Sequence, residues 1–259
     1  MRFVNATLLI LIVTCARSAN AGVAPDSPPS AKPPLEVAKP PANTPRNTVA
    51  VLYFDFVGGD PSLSVLRKGL TQMLIADLAG QPAVDMIERE QLQSLIDELK
   101  LNKQVKMDEA TAAKIGKLLG VHFLVLGGYF SLGETLRVDV RVVEVETGKI
   151  VKGSSASGSL ADFLAIEQKL SISLGQILAE LPAPKKSLAQ SGPAKPARPR
   201  PVAPKLPAAL PGQTAIAYSK ALDLKDEGKV AEAKVELEKV VKLQPDFMLA
   251  KADLAKMMR

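Results

Sequence analysis

The chain has 259 residues, 47% hydrophobic by composition, with a formal net charge of +6, one histidine and one cysteine. That length accommodates one mid-sized domain and one small one. The lone His and lone Cys leave no basis for a Cys/His zinc cluster or a disulfide framework.

Residues 1–21 read as a secretory leader. Arg2 supplies the positive start, Val4 to Val13 the apolar stretch, and Ala19-Asn20-Ala21 the small-x-small pattern, so cleavage is expected between Ala21 and Gly22. The apolar stretch is too short for a permanent membrane helix. Cys15, the only cysteine, is a candidate lipid-attachment residue, although Thr14 before it fits that role poorly. Removal of the leader after Ala21 leaves a mature chain with no thiol chemistry.

Residues 22–47 and 182–212 are rich in Pro, Ala and Lys and lack apolar periodicity, which predicts semi-extended linkers. The basic charge sits there: residues 182–212 hold six Lys or Arg and no acid, whereas residues 48–181 carry four more acids than bases. A nucleic-acid domain concentrates positive charge on a folded face. No nucleic-acid partner is expected. The linkers are read as tethers, with docking to peptidoglycan or an anionic envelope surface as the alternative.

Residues 48–181 read as an α/β domain. Thr48 to Phe56 form a buried strand, and Gly58-Gly59-Asp60-Pro61 turns the chain, with Asp60 as the cap of a helix that faces inward through Leu66, Leu70, Met73, Leu74 and Leu78. Val84 to Ile87 make a short strand. A second helix follows with Leu92, Leu95, Ile96 and Leu99, and a third is capped by Asp108 and stopped by Gly120. His122 to Tyr129, Thr135 to Val145 and Ile150 to Ser157 are strands, the last an edge; the adjacent Val142 and Val143 suggest a bulge. Ser159 caps a last helix that Pro182 stops. The order β-α-β-α-α-β-β-β-α predicts an α/β fold, a three-layer mixed sheet with covering helices. The tail, residues 213–259, is predicted all-α, with helices around Ala217–Leu224, Ala233–Val241 and Phe247–Met258.

Candidate chemistry is sparse. His122 opens a buried strand without a second catalytic group. Asp139 between Arg137 and Arg141 is expected to pair across strands. Glu88, Arg89, Glu90, Asp97, Glu98 and Lys100 read as helix-surface charge. Val57-Gly58-Gly59-Asp60 has the position of a phosphate loop without its motif. The serines from Ser154 to Ser159 lack a partner base. No catalytic, metal or cofactor residue is assigned, and no enzyme is expected.

Three stretches, VAVLYFDFVGGD, VDMIEREQLQSLIDELKL and AAKIGKLLGVHFLVLGGYFSLGETLRVDVRVVEVETGKIV, resemble the curli-assembly CsgG family across residues 48–178. The second matches a pattern of the type F-x-V-[IVL]-E-R-x-x-[LM]. The resemblance implies a periplasmic α/β domain. Channel members add two membrane hairpins per subunit, and this chain departs there because residues 121–158 are used by the core sheet. Ala221, Gly228, Ala233, Leu237, Val240 and Pro245 resemble the packing positions of a tetratricopeptide repeat, with Tyr218, Leu222 and Lys225 as a candidate partner groove. The function implied is a non-enzymatic protein of the periplasm or outer membrane that scaffolds secretion or envelope assembly by binding envelope proteins. The alternatives are a regulator of cell-wall synthases and a ring-forming secretion subunit; a homo-oligomer fits either.

Overall fold

The computed structural model describes residues 46–101, 108–184 and 206–258, all within one compact unit, Pro40–Arg259. The leader, with Cys15, Ala21 and Gly22, lies outside the described residues, as do most of the two proline-rich stretches.

The fold is α/β with a mixed sheet. In chain order the elements are β1 (Asn47–Val51), β2 (Asp55–Phe56), α1 (Leu66–Leu78), β3 (Val84–Met86), α2 (Arg89–Glu98), α3 (Glu109–Leu119), β4 (Phe123–Leu132), β5 (Thr135–Glu144), β6 (Ile150–Ser159), α4 (Phe163–Ala179), α5 (Gly212–Asp226), α6 (Val230–Leu243) and α7 (Met248–Met257). The sheet order is β3-β1-β4-β5-β6, with β2 also paired to β4. β3, β1 and β4 are parallel, and β4, β5 and β6 form an antiparallel meander.

Local signals set these boundaries. Asp60 accepts from the Ser62 N–H, Asp108 from Thr111 and Ser159 from Ala161, each holding a donor that a helical turn leaves unpaired. Gly120 ends α3 at φ 66°, a left-handed conformation that a Cβ disfavours. The run Thr48–Phe56 divides at Leu52–Phe54 into β1 and β2. The chain stays bonded to β4 there, with the Leu52 N–H donating to the Val125 carbonyl at 3.0 Å. The Phe54 side chain occupies the space that Gly127 leaves; a Cβ on Gly127 would sit within 2.4 Å of the ring.

Side chains alternate across the sheet and build two cores. Val49, Val51, Phe123, Val125, Leu136, Val138, Val140 and Val142 face α1 and α4. Ala50, Leu52, Leu124, Leu126, Val143 and Val145 face α2 and α3. The register shifts between Val142 and Val143, but the skipped residue is Val151 on β6. Alternation along β5 is unbroken. Val143 is buried and Arg137 exposed on the same side because the α2/α3 layer covers only one end of that face.

The tail packs onto this domain as a further layer. α5 lies on α1, so α1 is buried on nearly every side, Lys68, Gly69, Thr71 and Gln72 included. Tyr218, Ala221, Leu222, Leu237, Val240 and Phe247 belong to the same hydrophobic core as the sheet. Leu206 and Leu210, at the end of the second proline-rich stretch, are buried in it too. Contact between α1 and α5 depends on Gly69: a Cβ there would lie 1.9 Å from the Ser219 hydroxyl. Gly69→Ala is expected to cost about 1–3 kcal/mol by overpacking. Adding Ser219→Gly should return most of it, as read by chemical denaturation. Equal stability of the single variant and the parent would show that α5 does not sit this close.

Glu167 on α4 is fully buried, and among the described residues neither carboxyl oxygen has a hydrogen-bond partner. Burial raises its pKa well above the usual carboxylate range, and the Asp77 carboxylate of α1 adds to this. Asp77 is itself shifted upward by burial, against the opposing bond from the Ser171 hydroxyl. A raised carboxyl means the folded chain keeps a proton that the unfolded chain releases. Its stabilising effect is therefore complete below the ordinary Glu range and is lost as pH rises through the folded value. Glu167→Gln is expected to be more stable than the parent near neutrality and to flatten the fall in urea midpoint as pH rises above the ordinary Glu range. A less stable variant at the upper end would show instead that the ionised carboxylate is paired.

Candidate functional site

The sheet and helices bring one concentrated set of charges together, at the junction of α1, α2 and α5. Arg89 opens α2, and its side chain is 0% exposed. Its guanidinium donates to both Asp226 carboxylate oxygens, at 2.6 and 3.2 Å, a two-point contact that suits the planar fork. It also donates to Gln72 Oε1 and to the Tyr53 hydroxyl, each at 3.1 Å. Lys68 on α1 is 6% exposed and reaches Asp223 at 2.9 Å and Asp226 at 2.7 Å. Lys225 pairs with Glu90 at 3.0 Å. Three cations thus meet three carboxylates across the junction.

Tyr53 completes the cluster from the segment between β1 and β2. Its hydroxyl donates to Gln93 Oε1 at 2.7 Å, while Arg67 and Lys68 lie 5.9 and 5.7 Å from its ring centre, within cation–π range. Burial raises the Tyr53 hydroxyl far above its ordinary value, with Arg89 opposing. Burial also pushes Glu90 upward, but Lys225 and Arg89 outweigh it and hold the carboxyl below its usual range. Chemically, these groups neutralise one another and join α5 to the α/β domain.

Arg89 therefore departs from the helix-surface reading of residues 88–100. Sequence spacing places it on the first turn of α2, where Tyr53, Gln72 of α1 and Asp226 of α5 together enclose its guanidinium. The available signal was the Glu88-Arg89 pair within the stretch that carries the family resemblance.

The other sequence-selected residues are distributed through the fold. Tyr218 is 0% exposed, stacks edge-on against Phe247 and donates to Asp253 at 2.6 Å. Leu222 is buried, and Lys225 is held by Glu90. Tyr218 and Leu222 are thus buried within their own chain, Tyr218 against α7, and Lys225 is half-buried at the junction with α2. His122 joins β4 to β1: its Nδ1 accepts from the Thr48 N–H at 3.0 Å and lies 2.9 Å from the Thr48 hydroxyl. Arg137 pairs with Asp139 at 2.8 Å along one strand rather than across strands, and reaches Ser155 on β6 at 3.4 Å. The Val57–Asp60 segment is an exposed turn that Asp60 caps. Among the described residues, no group of three His, Cys, Asp or Glu is arranged to hold a metal ion.

One surface is left open. Cross-strand register aligns Phe130, Arg137 and Ser157 in one row, and Gly128, Asp139 and Ser155 in the next. These rows lie on the α2/α3 side of the sheet, beyond the reach of that layer, and Arg137 and Asp139 are about half exposed.

The chain is similar to known proteins over about half of its length. A family model described as "Curli production assembly/transport component CsgG" matches residues 25–137. A protein called "Putative adenylate cyclase 3", from Rhizobium meliloti (strain 1021), is 24% identical over 140 residues, 54% of this chain and 22% of that one. The chain thus spans about a fifth of the length of the curated relative it matches. The solved LpoB C-terminal domain from Salmonella enterica is 16% identical, covering 46% of this chain and 86% of that one at a TM-score of 0.38. Lipoprotein GNA1162 from Neisseria meningitidis is 17% identical, covering 52% and 99% at 0.37. The PelC dodecamer from Paraburkholderia phytofirmans is 12% identical, covering 53% and 91% at 0.35.

Removing one member of the junction leaves buried charge without a partner. Asp226→Ala is expected to destabilise by about 3–5 kcal/mol. The double variant Arg89→Met/Asp226→Leu should be closer to the parent than Asp226→Ala, as measured by urea denaturation. A cost under about 1 kcal/mol for Asp226→Ala would indicate a hydrated, surface-like pair.

Proposed function

We propose that this chain is a non-enzymatic component of the bacterial envelope that works by holding other envelope proteins. The observation that carries this is the CsgG match over residues 25–137, joined to an N-terminal stretch with the charge, apolar run and Ala-Asn-Ala site of an exported leader. The arrangement of the polar groups supports it. The most concentrated charges face one another in the α1–α2–α5 junction and join helices.

In this reading the α/β domain carries the partner surface, on the open part of the sheet around Arg137, Asp139 and Ser157. The helices α5 to α7 form a tetratricopeptide-like unit of about one and a half repeats, supported by the spacing of Ala221, Gly228 and Ala233. The packing of α5 against α1 makes this unit a cover for the domain in addition to any recruiting role. The secretion-channel alternative requires strands free to enter a bilayer. Here β4, β5 and β6 run through residues 123–159 inside the core sheet. The activity of the cyclase relative does not transfer on a match to 22% of that protein. The protein resides in the periplasm, free if cut before Gly22 or held at the outer membrane if lipidated at Cys15.

The test is fractionation and intact mass after expression of the complete chain in a Gram-negative host. The expected product is an envelope-fraction protein that begins at Gly22 or carries a lipid on Cys15. A cytoplasmic product that retains residues 1–21 would overturn the reading.

A further inference from the structure

β6 is the edge of the sheet, and among the described residues no strand pairs with its outer side. An edge strand of this length normally carries devices that prevent pairing with another chain: a proline, an unpaired charge or a bulge. Here those devices are confined to one end. Val151 is the bulged residue, and the strand's one charge, Lys152, is turned to Glu180, the residue that follows α4, at 3.0 Å. The stretch Gly153–Ser159 contains neither charge nor proline. Ser154 bonds back to Ser173 of α4, which covers that side, while Ser155 and Ser157 stand on the other.

We propose that, independently of any envelope role, the Gly153–Ser159 edge pairs with the same edge of a second copy, antiparallel about a two-fold axis near Ala156. The stretch is self-complementary in that register. Ser155 lies opposite Ser157 of the second copy, Gly153 opposite Ser159, and Ser154 opposite Gly158. Residues of equal parity meet, so each copy keeps α4 on the same side of a continuous sheet. No charge faces a charge, and facing serines can hydrogen-bond across the strands. Small side chains leave the backbone accessible to the second strand. A seven-residue pair is small beside the roughly 1,000 Å² of a stable interface, so association depends on concentration.

Sedimentation equilibrium of the full processed chain tests this. The parent mass is expected to rise from one chain towards two as concentration increases. Ser155→Lys/Ser157→Lys and Ser155→Glu/Ser157→Glu should each stay at one chain, because like charges then oppose each other in this register and its neighbours. An equimolar mixture of the two should return to two chains. Both positions lie on the open side of the sheet, so unchanged far-ultraviolet circular dichroism of the variants is expected and confirms that they fold. A parent that stays at one chain throughout, as when an extended segment of this or another protein occupies the edge, would overturn the proposal. So would a mass beyond two chains, or a lysine variant that pairs as the parent does.

Discussion

The two-point contact between Arg89 and Asp226 is the constraint around which the rest of this molecule is arranged. A guanidinium with no exposed surface cannot remain without a counter-charge, because the desolvation cost is several kcal/mol per ion. Its partner comes from the last turn of α5, 137 residues away in the chain. α5 must therefore lie over α1, and Lys68, which points the same way, shares Asp226 and takes Asp223 as well. Once α5 is there, α1 has no solvent face. That accounts for a helix buried almost all round and for a glycine at its point of closest approach. The ionic contacts fix Asp223 and Asp226 of α5 against α1 and α2, and Tyr218, Leu222 and Leu237 belong to the apolar core that the tail shares with the sheet.

The same incomplete layering explains the exposed chemistry. α2 and α3 cover one end of a sheet face, and the other end is left as rows of Arg, Asp, Ser and Phe. α4 covers the opposite face out to β6 but cannot satisfy that strand's outer backbone. Among the described residues the sheet therefore presents a polar face of side chains and an edge whose main-chain groups no strand pairs.

Much of the fold was legible along the chain because it rests on short-range physics. Asp60, Asp108 and Ser159 cap where their spacing to the next apolar run says they should, and Gly120 stops α3 for want of a Cβ. The alternation Leu136, Val138, Val140, Val142 named the inward face of β5. Elsewhere the local pattern fell short for equally specific reasons. Val142-Val143 marks the right place for a bulge, yet the extra residue is Val151 on the neighbouring strand, since a pair of strands shares one register and sequence shows only one of them. Thr48–Phe56 reads as one strand because nothing local shows that Phe54 will turn into the gap at Gly127. Arg89 looks like a surface charge because its partner is distant in sequence.

The sequence by itself determined the element order, the caps and stops, the inward faces of the strands, the place of the lone histidine at the start of a strand and the leader-like pattern of the first 21 residues. Each follows from interactions among residues a few positions apart. Only the tertiary structure decided that α5 to α7 share a core with the sheet, that Tyr218 and Leu222 are buried, and that Arg89 is buried against Asp226. Those outcomes depend on which surfaces meet after the elements form. A charge is inexpensive in water and costly in a core, so its meaning is set by the neighbour that arrives from elsewhere in the chain.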